Sequence, residues 1–275
     1  MSELKSEKGQ AEQVEDLFNQ LWEDYIQQTP SAAKVHDVLG EGRDIINDHV
    51  AFRTFNLEPV RLEALAQHFI RLGYKEGGDY HFEAKKLRAK HYEHSNPEFP
   101  KVFISELLVE EFSPRVQELI NRMVHSIDAE AVKKPDFLYS GTHWNVTHAE
   151  YLELLDESEY AAWMSAYGFR ANHFTVSVNH LPGYQTLEQV NQKLKDAGFK
   201  LNSSGGEIKG SAEVYLEQSS TMADRVEVEF NDKTVEIPSC FYEFAKRYEI
   251  QPGKLYTGFV AASADKIFES TNAKG

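Results

Sequence analysis

The sequence predicts an α+β fold built from two copies of one module, each of the form β-α-β-β-β. A strand-like run that opens with a polar residue and a histidine occurs twice, as Asp48-His49 and as Asn172-His173. Each run is followed by a helical pattern that stops at a glycine. Gly73 follows His49 by 24 residues and Gly198 follows His173 by 25, so the two segments indicate an internal duplication.

The first half of the chain supplies one module and several added helices. Residues 1–10 are polar and mixed in charge and predict a frayed tail, and residues 14–28 follow with apolar positions at helical spacing. Residues 48–55 are rich in β-branched and aromatic side chains and predict a strand. We expect a helix over 59–72, a strand over 101–109 and helices over 114–125 and 149–167. The basic stretch 85–94 leaves the remaining strands of this copy undefined.

The second half repeats the pattern more clearly. Residues 172–178 predict a strand, residues 187–197 a helix that Gly198 ends, and residues 212–218, 225–230 and 234–244 three further strands. We therefore divide the chain into residues 1–170, which hold the first helix, the first module and inserted helices, and residues 171–275, which hold the second module and a C-terminal segment. The two parts are expected to form one compact unit.

Composition narrows the classes of partner. Of 275 residues, 41% are hydrophobic and 27% charged, which is typical of a globular protein. With 29 Lys and Arg against 44 Asp and Glu, the formal charge is -15, which disfavours nucleic acid and anionic membranes as partners. The single cysteine, Cys240, fits a reducing compartment, and no run reaches the ~18 apolar residues of a membrane span. We expect a cytoplasmic protein; the sequence does not determine its oligomeric state.

Strand alternation places both histidines on polar faces. In residues 48–55, His49, Ala51 and Arg53 share one face, and the opposite face is apolar. His173 leads the equivalent polar face of the second strand. Polar faces on otherwise core-like strands predict a cavity, and neutral imidazoles are good ligands for Fe, Zn, Ni or Cu.

A third ligand is expected to be a carboxylate, and Glu243 is the best candidate because it interrupts an aromatic run. An ionised carboxylate buried there would cost several kcal/mol without a partner, which a metal ion would provide. Glu227 and Glu229 are rival carboxylates. Glu243 could instead pair with Arg247 if that segment were helical.

Arg53 and the segment 91–94 each allow a functional and a purely structural interpretation. Arg53 lies beside His49, where it could bind a carboxylate bidentately or form a surface salt bridge. The segment 91–94 spaces two histidines three residues apart but offers no third local ligand, so we expect it to be solvated.

Three segments together resemble the DUF1338 family, whose characterised members are 2-oxoadipate dioxygenase/decarboxylases. They are residues 48–53 (DHVAFR), 172–179 (NHFTVSVN) and 241–245 (FYEFA), and the C-terminal stretch 256–268 is similar as well. The resemblance covers residues 15 to 272. The segment at Glu243 is also similar to the Phe-Phe-Glu segment that supplies the iron-binding glutamate of hydroxyphenylpyruvate dioxygenases.

The resemblance implies a fold of the vicinal oxygen chelate, or glyoxalase-like, type, in which paired βαβββ modules form a cupped, barrel-like sheet around one metal ion. It implies that His49, His173 and Glu243 ligate Fe(II) and form the catalytic centre, with other divalent metals (Zn, Ni or Mn) possible. It further implies that Arg53 binds the substrate, and the position of Tyr256 suggests a second substrate contact.

The implied reaction uses O2 and a 2-oxo acid that chelates the metal. Oxidative decarboxylation and hydroxylation of the shortened chain would convert 2-oxoadipate into 2-hydroxyglutarate and CO2 without a further cosubstrate. Two alternatives stay open at this point: a Zn- or Ni-dependent isomerase or hydrolase of the glyoxalase kind, and a non-catalytic small-molecule binding protein of the same fold.

Overall fold

The computed structural model describes residues 2–271, with side chains from residue 9 onwards. The α-helices are α1 (Ser2–Gln28), α2 (Ser31–Gly40), α3 (Leu62–Ile70), α4 (Pro114–His125), α5 (Ala129–Val132), α6 (His148–Glu157), α7 (Glu159–Tyr167), α8 (Leu187–Asp196) and α9 (Ala261–Ile267). The strands are β1 (Asn47–Phe55), β2 (Lys75–Phe82), β3 (Leu87–Glu93), β4 (Lys101–Leu107), β5 (Ala171–Ser177), β6 (Lys209–Ser211), β7 (Leu216–Ser220), β8 (Arg225–Glu229), β9 (Thr234–Pro238), β10 (Phe241–Arg247), β11 (Glu249–Gln251) and β12 (Lys254–Leu255).

One eight-stranded sheet organises the molecule, with the strand order β2-β3-β4-β1-β5-β10-β7-β6. The first four strands come from the first module and the last four from the second, in mirrored order. β1 pairs with β4 and β5 pairs with β10 in parallel, and β1 meets β5 antiparallel at the centre. The sheet curls into a half-barrel, so the predicted α+β fold of paired modules is confirmed.

The duplication extends into a turn that the sequence did not reveal. A short 3-10 helix, Glu83–Lys85 in the first module and Ala212–Val214 in the second, precedes the third strand of each copy. Each helix ends at a residue in the left-handed conformation, Lys86 (φ 55°) or Tyr215 (φ 63°). The strand that follows begins with a leucine in both copies.

The second module also contains an insertion. β8 and β9 pair only with each other, as a two-stranded ribbon outside the main sheet. The prediction that 225–230 belongs to the module was therefore wrong, and the predicted strand 234–244 is two strands separated at Ser239 and Cys240. Exposed and half-buried positions alternate along the ribbon, a pattern that does not distinguish a ribbon from the edge of a large sheet.

Three predicted elements differ in their bounds. The backbone of residues 2–10 is helical, not frayed, because Glu, Lys, Gln and Leu in this stretch are good helix formers. The predicted helix 149–167 is two helices, since the Ser158 hydroxyl accepts from Ala161 N and caps a new helix. The predicted strand 212–218 starts with the 3-10 turn, and β7 begins at Leu216.

Helices cover the outer face of the sheet and part of its concave face. α1 packs on β5, α3 on β4, and α8 on β7 and β10, and the buried apolar residues between them form one continuous core. α9 contacts β2 at one end of the sheet and β6 and β7 near the other. It therefore lies across the concave side. None of the helices described over 2–271 is long and apolar enough to cross a membrane.

Candidate metal centre

Two histidines and a glutamate meet on the concave face. His49 lies on β1, His173 on β5 and Glu243 on β10, the central strands of the sheet. His173 Nε2 is 3.1 Å from Glu243 Oε2, and His49 Nε2 is 3.6 Å from Glu243 Oε1. One potential ligand atom from each residue lies within 4.8 Å of the others, and all three side chains are buried. The structure thus brings together the three residues that the sequence analysis singled out.

Strand register explains why these side chains converge. Thr175 on β5 is the partner of His49 on one side and of Glu243 on the other. His173 lies two residues before Thr175, so its side chain projects from the same face of the sheet. The cluster is therefore a product of backbone pairing between distant segments, and it needs no loop to assemble it.

The residue before each histidine fixes the orientation of its ring. His49 Nδ1 is 2.8 Å from Asp48 Oδ1, and His173 Nδ1 is 2.9 Å from Asn172 Oδ1. Because both oxygens accept, each Nδ1 carries the proton and each Nε2 presents a lone pair. Metal-ligating histidines are commonly held in this way. The sequence signal was the repeated pair Asp48-His49 and Asn172-His173, whose role in orienting the rings was not recognised from the sequence.

The arrangement calls for a cation between His173 and Glu243. With Nδ1 protonated, the Nε2 lone pair of His173 faces a carboxylate oxygen at 3.1 Å, and two acceptors at that distance repel. A proton or a metal ion between them removes the repulsion. The second oxygen, Glu243 Oε1, accepts a 2.6 Å hydrogen bond from Gln218 Nε2, which fixes the plane of the carboxylate.

Electrostatics keep the cluster ready to bind a cation. Burial raises the pKa of Glu243, but the charge of His49 and the hydrogen bond with His173 outweigh burial and lower the pKa to about 2. Burial also lowers the pKa of His173, and Glu243 offsets this only in part. For His49, Glu243 and Asp48 outweigh burial and raise the pKa. Glu243 is consequently an anion at neutral pH.

The duplication leaves one side of the cluster open. His173 pairs with Phe241 across the parallel β5-β10 contact, and His49 pairs with Lys101 across the equivalent β1-β4 contact. Two residues further along, Glu243 and Phe103 occupy equivalent positions. The duplication therefore gives four equivalent positions. Three of them carry side chains that can ligate a metal, and the fourth, Phe103, cannot and borders open space.

That space is a narrow cavity with a volume of about 20 Å³. Its lining includes the three clustered residues, and the remaining wall is mostly apolar: Ala51, Phe52, Arg53, Phe103, Ser105, Asn172, Gln218, Phe259, Ala264, Ile267 and Phe268. Three polar atoms in the wall, Arg53 Nε, Arg53 Nη1 and Gln218 Oε1, make no hydrogen bond within residues 2–271. Buried polar groups are normally paired, so these atoms mark places for ligand atoms.

Arg53 is a buried cation rather than a surface salt-bridge residue, with 2% of its surface exposed. Its Nη2 donates to Thr271 Oγ1 at 3.1 Å, and its guanidinium lies 4.9 Å from the ring centres of both Tyr160 and Trp163. The aromatic rings hold the guanidinium in place, and its Nε and Nη1 are buried without a hydrogen-bond partner among the described residues. Glu159 lies close enough to raise its pKa, but burial is the larger effect and the pKa of Arg53 is lowered.

Tyr256 lies beside the cavity and is not among its lining residues. Its hydroxyl donates to Phe259 O at 3.2 Å, and its carbonyl accepts from Arg247 Nη1 at 3.1 Å. A contact between the Tyr256 side chain and substrate stays a prediction. Tyr256 helps to shape the segment that ends in Phe259, which does line the cavity.

The other sequence alternatives are resolved by position. Glu243 and Arg247 lie on a strand rather than a helix, and Arg247 pairs with Asp48 at 2.7 Å. Glu227 and Glu229 lie on the separate ribbon, away from the cluster. The expectation that 91–94 is solvated was wrong for His91, which is buried and bonded to Tyr80 and Glu93. An alternating strand hides every second residue, which the charge of this stretch did not indicate.

The chain has a glyoxalase-like fold of paired modules, with a candidate metal centre on its concave face. A glyoxalase superfamily protein from Ralstonia eutropha shares the fold, with a TM-score of 0.72 and 24% identity over 92% of this chain and 87% of its own. The sequence model for 2-oxoadipate dioxygenase/decarboxylase matches residues 1–254. The chain therefore belongs to the 2-oxoadipate dioxygenase/decarboxylase family, a family of enzymes.

Individual relatives agree with this assignment. The chloroplastic 2-oxoadipate dioxygenase/decarboxylase of Arabidopsis thaliana is 35% identical over 277 residues, covering 90% of this chain and 74% of its own. The hydroxyglutarate synthase of Oryza sativa, solved in complex with 2-oxoadipate, superimposes with a TM-score of 0.90 and 33% identity over 96% of this chain and 94% of its own. A presumed hydrolase from Shewanella frigidimarina is 63% identical, with a TM-score of 0.88 over 90% of this chain and 98% of its own.

Proposed function

We propose that the protein is an Fe(II)-dependent dioxygenase/decarboxylase that converts a 2-oxo dicarboxylic acid, 2-oxoadipate, into 2-hydroxyglutarate and CO2. The observation that carries the proposal is one cavity with a His-His-Glu cluster and an arginine with two unpaired nitrogens in its wall. The relative from rice binds 2-oxoadipate, and the match to it covers 96% of the present chain. The atoms of the reaction balance with one O2 consumed for each CO2 released.

The donor set fits a divalent transition metal. Two neutral imidazole nitrogens and one carboxylate on one side of an ion form the 2-His-1-carboxylate arrangement typical of non-haem Fe(II) oxygenases. His49, His173 and Glu243 would hold the metal, and the equivalent position taken by Phe103 leaves room for further ligands. Bound Fe(II) would supply O2 activation and would polarise the 2-oxo group of the substrate.

The protein's own residues prepare this site before any ligand arrives. Asp48 and Asn172 keep the histidine protons on Nδ1, so that each Nε2 presents a lone pair, which in His49 accepts from Thr175 Oγ1 at 3.0 Å. Gln218 holds Glu243 Oε1 with a hydrogen bond. Because these partners are all buried and already bonded, the ligands need little rearrangement when a metal binds.

Arg53 would bind the carboxylate far from the metal. Its unpaired Nε and Nη1 suit a bidentate contact with a carboxylate. His49 and Arg53 are four residues apart on β1, which places their Cα atoms about 13 Å apart at 3.3 Å per residue. A six-carbon chain has five bonds and, because the bonds zigzag, an extended length of roughly 6 Å. The His49 imidazole and the Arg53 side chain cover the rest of the distance, so a dicarboxylate of this size can chelate at one end and reach Arg53 at the other.

Apolar residues would keep bulk water away from the reaction. Phe103, Phe259 and Phe268 line the cavity together with Ala264 and Ile267 of α9. Excluding water strengthens the interaction between Arg53 and an anionic substrate and protects an O2-activating centre from side reactions. The acidic surface of the protein makes this local positive charge necessary for anion binding.

The direct test is oxygen uptake by anaerobically purified, Fe(II)-loaded protein given 2-oxoadipate. We expect uptake that depends on both the metal and the substrate, and its loss in His173→Ala. His125→Ala is the matched control, because His125 lies on the exposed side of α4 and bonds only the carbonyl of Asn121 among the described residues. No uptake by the iron-loaded wild type, or equal uptake in both variants, would overturn the proposal.

The same cluster would also suit a Zn-dependent hydrolase, and the relative from Shewanella frigidimarina is described as a hydrolase. This second candidate predicts product formation without O2 and activity with Zn(II). Anaerobic turnover of a carbonyl substrate by the Zn-loaded protein would favour it over the dioxygenase.

We also propose a cytoplasmic location, supported by the single cysteine, which is buried and unpaired. Fractionation of the source cells with an antibody to the protein tests this. Recovery in an organelle or membrane fraction would contradict it.

A further inference from the structure

Arg247 lies at the end of β10, four residues beyond Glu243, and only 3% of its surface is exposed. We infer that Arg247 is a positioning residue that couples the ligand His49 to the segment 256–259, which closes one side of the cavity. The inference rests on the metal centre proposed above. It concerns a residue that makes no hydrogen bond to the metal ligands and does not itself line the cavity.

One side of the guanidinium holds Asp48. Arg247 Nε donates to Asp48 Oδ2 at 2.7 Å, and Nη2 donates to Asp48 Oδ1 at 2.9 Å. The same Oδ1 accepts from His49 Nδ1 at 2.8 Å. The bidentate contact therefore fixes the carboxylate that orients the imidazole, and a lysine could not reproduce its planar geometry.

The other side of the guanidinium holds the closing segment. Nη1 donates to Tyr256 O at 3.1 Å and to Gly258 O at 2.8 Å. The guanidinium also lies 5.1 Å from the ring centre of Phe259. Phe259 in turn packs edge-on against the His49 ring, with the two centres 4.8 Å apart. Arg247 thus contacts both neighbours that position the His49 ring. One is the Asp48 carboxylate, and the other is the segment 256–259, which carries Phe259.

The second histidine has no such connection. Asn172, the counterpart of Asp48, accepts from His173 with its carbonyl oxygen, and its Nδ2 has no partner among the described residues. An uncharged amide is therefore enough to orient an imidazole in this fold. Orienting the His49 ring therefore does not require the charged pair of Asp48 and Arg247. What distinguishes Arg247 is its second set of contacts, those with 256–259.

Coupling of this kind is reciprocal. If a metal on His49 favours the arrangement in which Arg247 holds 256–259, then ordering of that segment favours metal binding to the same extent. The cavity would close most firmly when the metal is present. Phe259 N also donates to Tyr80 OH at 3.1 Å, so the amide of this residue reports whether the segment is in place.

Hydrogen exchange of the full-length protein, with and without Co(II), tests the coupling. In the wild type we expect Co(II) to slow exchange at residues 256–260 by roughly tenfold or more. In Arg247→Met this metal-dependent difference should disappear. Arg88→Met is the matched control, since Arg88 also forms ion pairs on a strand but bonds Glu63, Asp79 and Glu106 instead. An equal metal-dependent slowing in Arg247→Met and Arg88→Met would overturn the inference.

A milder variant keeps the test decisive if Arg247→Met does not fold. Arg247→Lys retains the charge but cannot bridge Asp48 and both carbonyls, so we expect about 10- to 100-fold weaker Co(II) binding and loss of the exchange difference. Wild-type affinity together with a wild-type exchange difference in Arg247→Lys would refute the coupling. Failure of the wild type itself to bind Co(II) would instead refute the metal centre, so the two failures are distinguishable.

Discussion

Arg53→Met removes the guanidinium from the cavity while keeping a long side chain that can still pack against Tyr160 and Trp163. Arg53 Nε and Nη1 are buried and make no hydrogen bond among the described residues, so they are the groups available to a substrate carboxylate. Truncating one partner of a buried, hydrogen-bonded charge pair costs about 2–5 kcal/mol. At ~1.4 kcal/mol per factor of ten, KM for 2-oxoadipate should rise by roughly 30-fold to a few thousand-fold.

The same substitution should spare the metal centre and the fold. Arg53 makes no contact with His49, His173 or Glu243 among the bonds described for it, and its Nη2 bonds only Thr271. Burial lowers the pKa of Arg53, which means that the folded protein holds this cation at a cost. A methionine removes that cost but also removes the charge that lowers the pKa of the buried Glu159, so we expect a folded protein with a lower thermal midpoint and an unchanged affinity for Co(II).

Steady-state kinetics with two substrates provide the assay. 2-Oxohexanoate has the same chain length as 2-oxoadipate but lacks the distal carboxylate. Wild-type protein should prefer 2-oxoadipate strongly, and Arg53→Met should lose most of that preference. An equal change in KM for both acids, or an unchanged KM for 2-oxoadipate, would refute the assignment of Arg53 to the distal carboxylate.

Other consequences of the structure can be tested on stability and reactivity. Co(II) at 100 times its Kd should raise the free energy of unfolding of the wild type by about 2.7 kcal/mol, measured by calorimetry. Glu243→Gln should lose this stabilisation, and an equal stabilisation of both proteins would contradict a ligand role for Glu243. Burial raises the pKa of Cys240 to about 12, so the thiol should resist iodoacetamide at pH 8 until the protein is unfolded; rapid labelling of folded protein would contradict this. Tyr160→Phe removes the hydroxyl that accepts from the backbone amide of Thr54. It should therefore lower the free energy of unfolding, measured in urea, by about 1–3 kcal/mol. An unchanged value would show that the Tyr160 hydroxyl is dispensable.

Residues that repeat along the chain could be predicted from the sequence, and residues that depend on pairing between distant strands could not. Period-two alternation placed His49 and His173 on polar faces, and the spacing to Gly73 and Gly198 revealed the duplication. Both signals are local. The candidate cluster was found because its two histidines occur at equivalent positions of the two copies.

The missed features are contacts across the sheet or through the C-terminal segment. The pairing of Asp48 with Arg247 joins residues 199 positions apart, and nothing in either local sequence indicates it. Gln218 was missed because its bond to Glu243 joins two different strands, β7 and β10, at positions 25 residues apart. The sequence also did not reveal the bonds of Tyr256, whose hydroxyl donates to Phe259 O and whose carbonyl accepts from Arg247 Nη1; its contact with substrate stays a prediction.

The duplication also explains how a nearly symmetric fold produces an asymmetric site. Equivalent strand positions carry His49 and His173, whereas the next equivalent pair carries Phe103 and Glu243. A glutamate at both would fill the fourth position and would add a second buried negative charge. With Phe103 there, the site keeps an open, apolar side, which is the side that substrate and O2 would need.

Isotope labelling with 18O2 tests the central claim most directly. Iron-loaded protein, 2-oxoadipate and 18O2 should give 2-hydroxyglutarate that carries two labelled oxygens, one in the new carboxylate and one in the hydroxyl group, together with unlabelled CO2. This outcome follows because the released carboxyl group keeps its own oxygens and both atoms of O2 remain with the five-carbon product. Unlabelled 2-hydroxyglutarate, or turnover that proceeds without O2, would contradict the assignment of a dioxygenase/decarboxylase.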